Sequence, residues 1–550
     1  MTGSTSAQTA RKGALRDIRV LDFGQYIPGP LLGMLLADQG AGVIKIERPG
    51  GDPGRKETAF ATWNRGKRSL VLDLKTSQGQ QQAQNLAHNA DVVIENFRPG
   101  VAERLGIGYP TLSKINPRLI YCSLPGFGEQ SPLRNQPGWD PVVGATTGLY
   151  PPVEDRPEPL FTPLPVASTF AAEIGAVAVI MALCARDQGN SGQHIEVPLH
   201  SAMFTAMGRH LVKFHDQPQL DTRSELRLPM QRQYQCADGR WVQNHGNYER
   251  FVHQFVAAAD YPEWSEDAIA EFGKALDVET ADMWVQRFEE TFRTKTAQEW
   301  EEAISAQGGA CTICKTVEEW LNHEHPITAK MVEEVEDAQY GRMQQPGVQV
   351  RLRGTPGAIQ GRAPQLGEHS AEILSELTNN PTPTATTVAP AGAQLMSALQ
   401  GVRVLDLCIV LAGPTCGRTL AEYGADVIKI DDPSRPYDPV GNVDVNRGKR
   451  SLLLNLKQEV GRDVFWKLLE SADVVVENYR KGSIAKLGLG YEEVRKRKPD
   501  IIYASLNAYG YDGPWAERPG WEQLAQATSG MEVRRGGRDG APMLMPYPVN

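Results

Sequence analysis

The chain has 550 residues, too long for one ordinary domain and comfortable for two to four. Its 41% hydrophobic content excludes a collagen, a mucin or a mostly disordered chain, and its net charge of −9 argues against a nucleic-acid binder. Residues 1–16 are expected to form a flexible tail; MTGSTSAQTARKG has no apolar core for a signal peptide. RVLDF (19–23) and GVIKIE (42–47) are short apolar runs flanking a helical stretch from Leu31 to Gln39. SLVLDL (69–74), DVVIEN (91–96) and LIYCSLPG (119–126) continue the series, separated by polar helical segments such as the Gln-rich run after Lys75. Runs rich in Val and Ile, spaced by helices, predict an α/β fold with a mostly parallel sheet covered on both faces over 17–205. Ala171 to Ala185 is apolar but short for a membrane span and interrupted by Glu173, so it reads as a buried helix. Over 206–335 the texture changes: YQCADGRWV predicts a hairpin around Asp238-Gly239, followed by amphipathic helices. This is read as a smaller α+β domain inserted before a closing VQVRLRG strand, with 336–377 returning to the large domain. A Pro-, Thr- and Ala-rich stretch then predicts an exposed linker over 378–397. Seven scattered cysteines suit a reducing cytoplasm better than a disulfide framework.

The chain also repeats itself. Ile18-Arg19-Val20-Leu21-Asp22 returns as Val402-Arg403-Val404-Leu405-Asp406, and Val43-Ile44-Lys45-Ile46 as Val427-Ile428-Lys429-Ile430. NRGKRSL occurs whole at 64–70 and at 446–452. DVVIENFR (91–98) matches DVVVENYR (473–480), LGIGY (105–109) matches LGLGY (487–491), and Gly138-Trp139 pairs with Gly520-Trp521. This is a tandem duplication of a large unit. Copy one covers about 17–377, and 398–550 is a second large domain, incomplete by the same ruler; the chain is expected to be a piece of a longer protein, the alternative being a second unit that is a stump.

The common nucleotide loops and the HExxH and GxSxG motifs are missing. Cys311-Thr-Ile-Cys314, with His323 and His325 nearby, matches no common zinc spacing, so buried structural thiols are the reading and no metal is expected. Two features point to a phosphate-bearing ligand. The first is the helix start at Gly29-Pro30-Leu31-Leu32-Gly33, where free amides favour an anion. The second is a cationic set, Lys67, Arg68, Lys75, Arg98 and Arg104, at or near strand ends, where doubly wound sheets hold their ligands.

Together GVRVLDL…AGP…GADVIKI, NRGKRSL, ADVVIENFRPG, NPRLIYCSLPGFG and APQLGEHSAEIL resemble the family III CoA-transferases, in order and twice. The resemblance implies a Rossmann-like large domain, a smaller domain, and an interlocked dimer, which two fused copies could supply as an intramolecular pseudo-dimer. It implies coenzyme A or acyl-CoA as substrate with no tightly bound cofactor, a small or medium carboxylic acid as partner, and neither nucleic acid nor membrane. By motif position the CoA contacts would be Asp73, Leu74, Lys75, Thr76, Phe97, Arg98 and Arg104. In copy two they would be Asn455, Leu456, Lys457, Tyr479, Arg480 and Lys486.

The family's chemistry uses an Asp, in a P-V-(A/N)-D context at a helix start, which attacks the thioester to give a mixed anhydride and CoA thiolate. The thiolate returns to make an aspartyl-CoA thioester, which the acceptor acid resolves. Copy one departs here: Pro165-Val166-Ala167 leads to Ser168, and no base to activate it is evident in the sequence. Copy one is therefore expected to be catalytically silent. Copy two's matching position would be residue 551, where an Asp is expected after Asn550. The racemase branch uses a His-Asp pair in a G-H-D context, whereas these copies read Gly138-Trp139-Asp140 and Gly520-Trp521-Glu522; Trp cannot move a proton from carbon, so racemisation is disfavoured. The rivals are a CoA-dependent lyase or isomerase on the same scaffold and a non-catalytic CoA-binding module.

Overall fold

A computed structural model describes residues 12–550 except 151, 154–155, 209–214, 217–228, 247–248, 265, 267–276, 380–394, 436–443, 538–539 and 546–550. Most of the expected tail, most of the linker and the Pro548-Val549-Asn550 segment therefore lie outside the described residues. The chain divides into two compact bodies, 1–205 with 330–400, and 206–329 with 401–550.

The first body is built on six parallel strands: β1 (Arg19–Asp22), β2 (Gly42–Glu47), β3 (Arg68–Val71), β4 (Val92–Glu95), β5 (Ile120–Ser123) and β6 (Gln193–Glu196). Their order is β3-β2-β1-β4-β5-β6, the doubly wound arrangement. The order reverses at β1, where Val20 pairs with Val43 of β2 on one side and Val92 of β4 on the other. The central strands are buried on both faces and carry β-branched residues there, with Val43, Val92, Val93 and Ile120 fully buried. Helix α1 (Pro28–Asp38) follows β1, α2 (Ser77–His88) follows β3, and α3 (Asp140–Thr147) and α4 (Val166–Asp187) lie between β5 and β6. Thr76 starts α2, its hydroxyl accepting from the Gly79 amide at 3.1 Å. α4 is the apolar helix expected to be buried; it packs on α1, with Ala171, Ala172 and Val179 fully covered.

The expected VQVRLRG strand is not formed. An antiparallel hairpin of Val332–Asp337 and Gly341–Pro346 precedes it instead, and the chain from 347 to 365 runs as coil. Pro346-Gly347 and Pro356-Gly357 bracket too short a run, and the neighbouring backbone pairs with loops: the Ala358 amide donates to Asp38 O, and the Gly66 amide to Gly361 O, each at 2.9 Å.

The second body joins the middle of the chain to its last third. Three antiparallel strands, β7 (Gln231–Gln235), β8 (Trp241–His245) and β9 (Cys311–Ile313), form a sheet with β8 central, the hairpin turning at Asp238-Gly239. Helices α5 (Glu249–Ala259), α6 (Val278–Phe292) and α7 (Ala297–Ala306) bring Phe255, Phe288, Phe292 and Trp300 into one aromatic core with Tyr234. Against this lies the copy-two sheet, β10 (Arg403–Asp406), β11 (Asp426–Asp431), β12 (Arg450–Leu453), β13 (Val474–Glu477) and β14 (Ile502–Ser505), ordered β12-β11-β10-β13-β14. The joint is made by α9 (Glu522–Thr528), numbered after α8 (Ala412–Glu422): Leu524 is 1% exposed and packs on Phe251 and Ala310, while Trp521 stacks on His245 at 4.9 Å. The equivalent of Leu524 in copy one, Val142, is 42% exposed.

Candidate active site

In the first body the resemblance-derived CoA contacts cluster past the carboxyl ends of β3 and β4. Leu74 and Phe97 pack on the same apolar cluster, together with Leu105. Asp73 Oδ1 accepts from the Lys75 amide at 3.0 Å, its carbonyl accepts from the Thr76 hydroxyl at 2.8 Å, and Glu95 Oε2 accepts from the Phe97 amide at 2.7 Å. Lys75, Arg98 and Arg104 are exposed, and among the described residues no salt bridge engages them. A strip of apolar floor edged by uncommitted cations suits a base and its phosphates.

Copy two repeats the local geometry with differences. Asn455 Oδ1 accepts from the Lys457 amide at 3.1 Å, and Leu456 and Tyr479 pack on one cluster. Lys457 lies 3.6 Å from Asp432, Lys486 is exposed, and Arg480 is half-buried, its pKa lowered by burial and by Arg250.

Two expectations need correction. NRGKRSL is a structural clamp, with Lys67 committed inside the protein and Arg68 to a partly exposed ion pair. Lys67 is 4% exposed, and its Nζ donates to Asp22 Oδ2 at 2.8 Å, Pro30 O at 2.7 Å and Asn64 Oδ1 at 3.0 Å, tying the end of β1 to the start of α1. Lys449 repeats this with Asp406, Pro414 O and Asn446 at 2.7, 2.7 and 3.3 Å. Burial pulls Lys67 down to about 8 against the pull of Asp22. Burial likewise opposes charge on Asp22, but Lys67 and Lys45 outweigh it and hold its carboxyl below the usual range. Arg68 pairs with Glu372 and Glu376 at 2.9 and 2.6 Å. The anion site expected at Gly29-Pro30 is also not formed: Pro28 and Pro30 have no N–H, and the Leu31 amide already donates to Ile27 O. Gly29 serves close packing instead, since a Cβ there would lie 2.6 Å from the Gly24 Cα.

The loop after β1 nevertheless reaches the site. Asn96, just before Phe97, accepts from the Gln25 amide at 2.7 Å and donates to its carbonyl at 2.9 Å. Asn478 grips Ile409 in the same way, at 2.8 and 2.7 Å. The next residue is left-handed in both copies, Tyr26 at φ 59° and Val410 at φ 69°, a conformation that costs of order 1–3 kcal/mol outside glycine. Tyr26 meets Trp139 edge-on at 4.8 Å, and the Arg98 guanidinium donates to Asn135 O at 3.5 Å.

Beside Trp139 is Asp140, and its partner is Ser168. The Ser168 amide donates to Asp140 Oδ1 at 2.9 Å and its hydroxyl to Oδ2 at 2.5 Å. Ser168 is the third residue of α4, whose start carries no side-chain cap of its own, so Asp140 caps it from outside. Burial raises the Asp140 pKa, opposed by hydrogen bonds from Ser168 and Ala167. The base that the sequence did not reveal is thus present, 28 residues upstream of Ser168. Sequence reasoning also missed the Asn96 clamp, although Asn follows Val-Val-x-Glu in both copies.

In the second body Glu532, fully buried, accepts from Gln233 Nε2 at 3.1 Å and lies 3.4 Å from Cys314 Sγ; burial pushes it up to about 7. Cys311 and Cys314 are buried, and burial drives both thiols well above their ordinary range. His325 is spent on Tyr509 O and the Trp515 amide at 2.9 and 3.2 Å, and His323 Nδ1 accepts from the His325 amide at 3.1 Å.

The sequence pattern of CoA-transferase family III matches residues 15–370 and again 399–550. The chain belongs to CoA-transferase family III. Among its relatives is the CoA-transferase/lyase DddD of Marinomonas sp., 31% identical over 94% of this chain and 69% of that protein. Another is the succinyl-CoA–D-citramalate CoA-transferase of Chloroflexus aurantiacus, 30% identical over 66% of this chain and 94% of that protein. The crystal structure of Rv3272 from M. tuberculosis superposes with a TM-score of 0.59 at 28% identity, covering 66% of this chain and 99% of that one. As a member of family III the chain is an enzyme that handles CoA thioesters, and its doubly wound α/β architecture is the family's.

Proposed function

We propose that this family III enzyme moves CoA between an acyl-CoA thioester and a carboxylic acid, through a covalent CoA thioester on a protein carboxylate. The observation that carries this is the match to the family along both copies, with Lys75, Arg98 and Arg104 exposed at the ends of the strands that carry the Leu74–Phe97 floor. CoA would lie on the Leu74–Phe97 floor with its phosphates on these cations. Ser168 is silent as a nucleophile in this reading because it is 2% exposed, out of reach of a thioester carbonyl. Names among the relatives, succinyl-CoA–D-citramalate and succinyl-CoA:mesaconate CoA-transferase, favour succinyl-CoA as donor and a small dicarboxylic acid as acceptor. The test is an exchange assay: succinyl-CoA with a panel of such acids should give the acceptor's CoA thioester and free succinate in equal amounts. Free CoA without a new thioester would count against transfer.

A second reading, transfer followed by elimination, is favoured by the match to a transferase/lyase along 94% of the chain. Release of a β-leaving group from the newly formed thioester would select it.

A further inference from the structure

In the transferase reading above, CoA passes through a side chain that itself becomes a CoA thioester. A serine cannot form one: an acylated Ser168 would hold the acyl group and not the CoA. A carboxylate can, and copy one presents one at the helix start where its sequence has none. Asp140 reaches that start from the preceding helix, its two oxygens 2.9 and 2.5 Å from the Ser168 amide nitrogen and hydroxyl. Ser168 lies behind it, 2% exposed, while Asp140 is only half-buried.

The surroundings connect this carboxylate to the CoA strip by contacts. Phe97 follows Asn96, Asn96 grips Gln25, Tyr26 meets Trp139, and Trp139, 51% exposed, adjoins Asp140. These contacts link the strand end at Phe97 and Arg98, where the nucleotide is placed, to Trp139 beside Asp140.

We propose that Asp140 is the carboxylate of copy one that carries CoA, the function having moved from the first turn of α4 to the residue that caps it. The inference rests on the transferase reading above. One Asp140 oxygen attacks the donor's carbonyl carbon; the C–S bond breaks and CoA leaves as thiolate, giving a mixed anhydride. The thiolate attacks Asp140 Cγ, the anhydride C–O bond breaks, and the donor leaves as a free carboxylate. An acceptor carboxylate then attacks Cγ and expels CoA thiolate. That thiolate attacks the acceptor's carbonyl, forming the new thioester and restoring the Asp140 carboxylate. Ser168 Oγ–H and the Ser168 and Ala167 amides, which already bind these oxygens, stabilise the negative charge on oxygen at Cγ.

The test is peptide mapping of the whole chain after incubation with succinyl-CoA, acid quenching and digestion at low pH, in parallel with borohydride reduction. CoA mass on the peptide holding Asp140, converted by borohydride to homoserine at that position, is the expected result. Asp140→Asn should lose this label while CoA still binds by calorimetry, Asp140→Glu should regain part of it, and Ser168→Ala should keep it. An acyl ester on Ser168, label persisting in Asp140→Asn, or an unlabelled Asp140 in a chain that binds CoA and exchanges acids would each overturn the inference and leave the transferase reading standing. A chain that neither binds CoA nor exchanges acids overturns that reading, and this inference with it. The parent chain's own peptide map decides the matter even if a variant fails to fold.

Discussion

Arg98 and Arg104 differ from the buried and half-buried Arg65 and Arg55 of their body in having no carboxylate partner among the described residues. Arg65 is locked to Asp38 at 2.6 Å and Arg55 to Glu47 at 2.6 Å, whereas Arg98 and Arg104 face solvent beside Phe97 and Leu105. Replacing both with Ala should weaken CoA binding by about tenfold or more and flatten its dependence on ionic strength, since screening acts on such contacts. Calorimetric titration at two salt concentrations checks both effects. Glu532 supplies a different test. Burial raises its pKa to about 7, so the folded chain holds a proton that the unfolded chain releases from about pH 4.5 upward. The stability this gives is complete below pH 4.5 and is lost as pH rises through 7. His245, pushed down to about 4 by burial, works in the opposite sense: stability rises as pH climbs from 4 toward 6.5. Glu532→Gln should therefore resist urea better than the parent at pH 8, by up to about 3 kcal/mol, and match it near pH 4.5. Equal midpoints at pH 8 would show that Glu532 carries no such penalty.

At the scale of elements, the Lys67 and Lys449 clamps explain why one heptapeptide survives in both copies. Each lysine joins the end of a strand to a carbonyl in the first turn of the following helix and to its own loop. Lys67→Met leaves Asp22 fully buried without its closest cation and should cost about 3–5 kcal/mol in urea unfolding. Arg68→Ala, which removes a partly exposed pair, should cost about 1 kcal/mol or less. The strands themselves were legible in the sequence because β-branched runs declare a sheet buried on both faces, and duplication showed each run twice. The roles of the cations were not. Spacing marks Lys67 as lying near a strand end, but nothing local distinguishes a lysine aimed at solvent from one aimed at a carboxylate 45 residues away. The Asp140–Ser168 pair was hidden for the same reason, its members being 28 residues apart across a loop.

For the whole molecule, the covalent order of the domains differs from their packing order. The three-stranded sheet of 206–329 belongs to copy one by sequence, yet its body is completed by 401–550. No periodicity could reveal this, because the buried face of β8 finds its partner only at α9. Leu524→Ala should therefore cost about 2–5 kcal/mol and open the segment 231–313 to protease, although that segment lies more than 200 residues upstream of the substitution. A loss confined to the copy-two sheet would contradict the joint.

This joint also sets a timetable for biosynthesis. Phe251 leaves the ribosome some 270 residues before Leu524. At about 5–20 residues per second, the nascent sheet waits roughly 15–55 s for its partner. Through that interval the surface around Phe251 and His245 is bare, while the first body is complete once residue 400 has emerged and can then close on itself. Chaperone occupancy on translating ribosomes should accordingly peak between the emergence of α5 and that of α9.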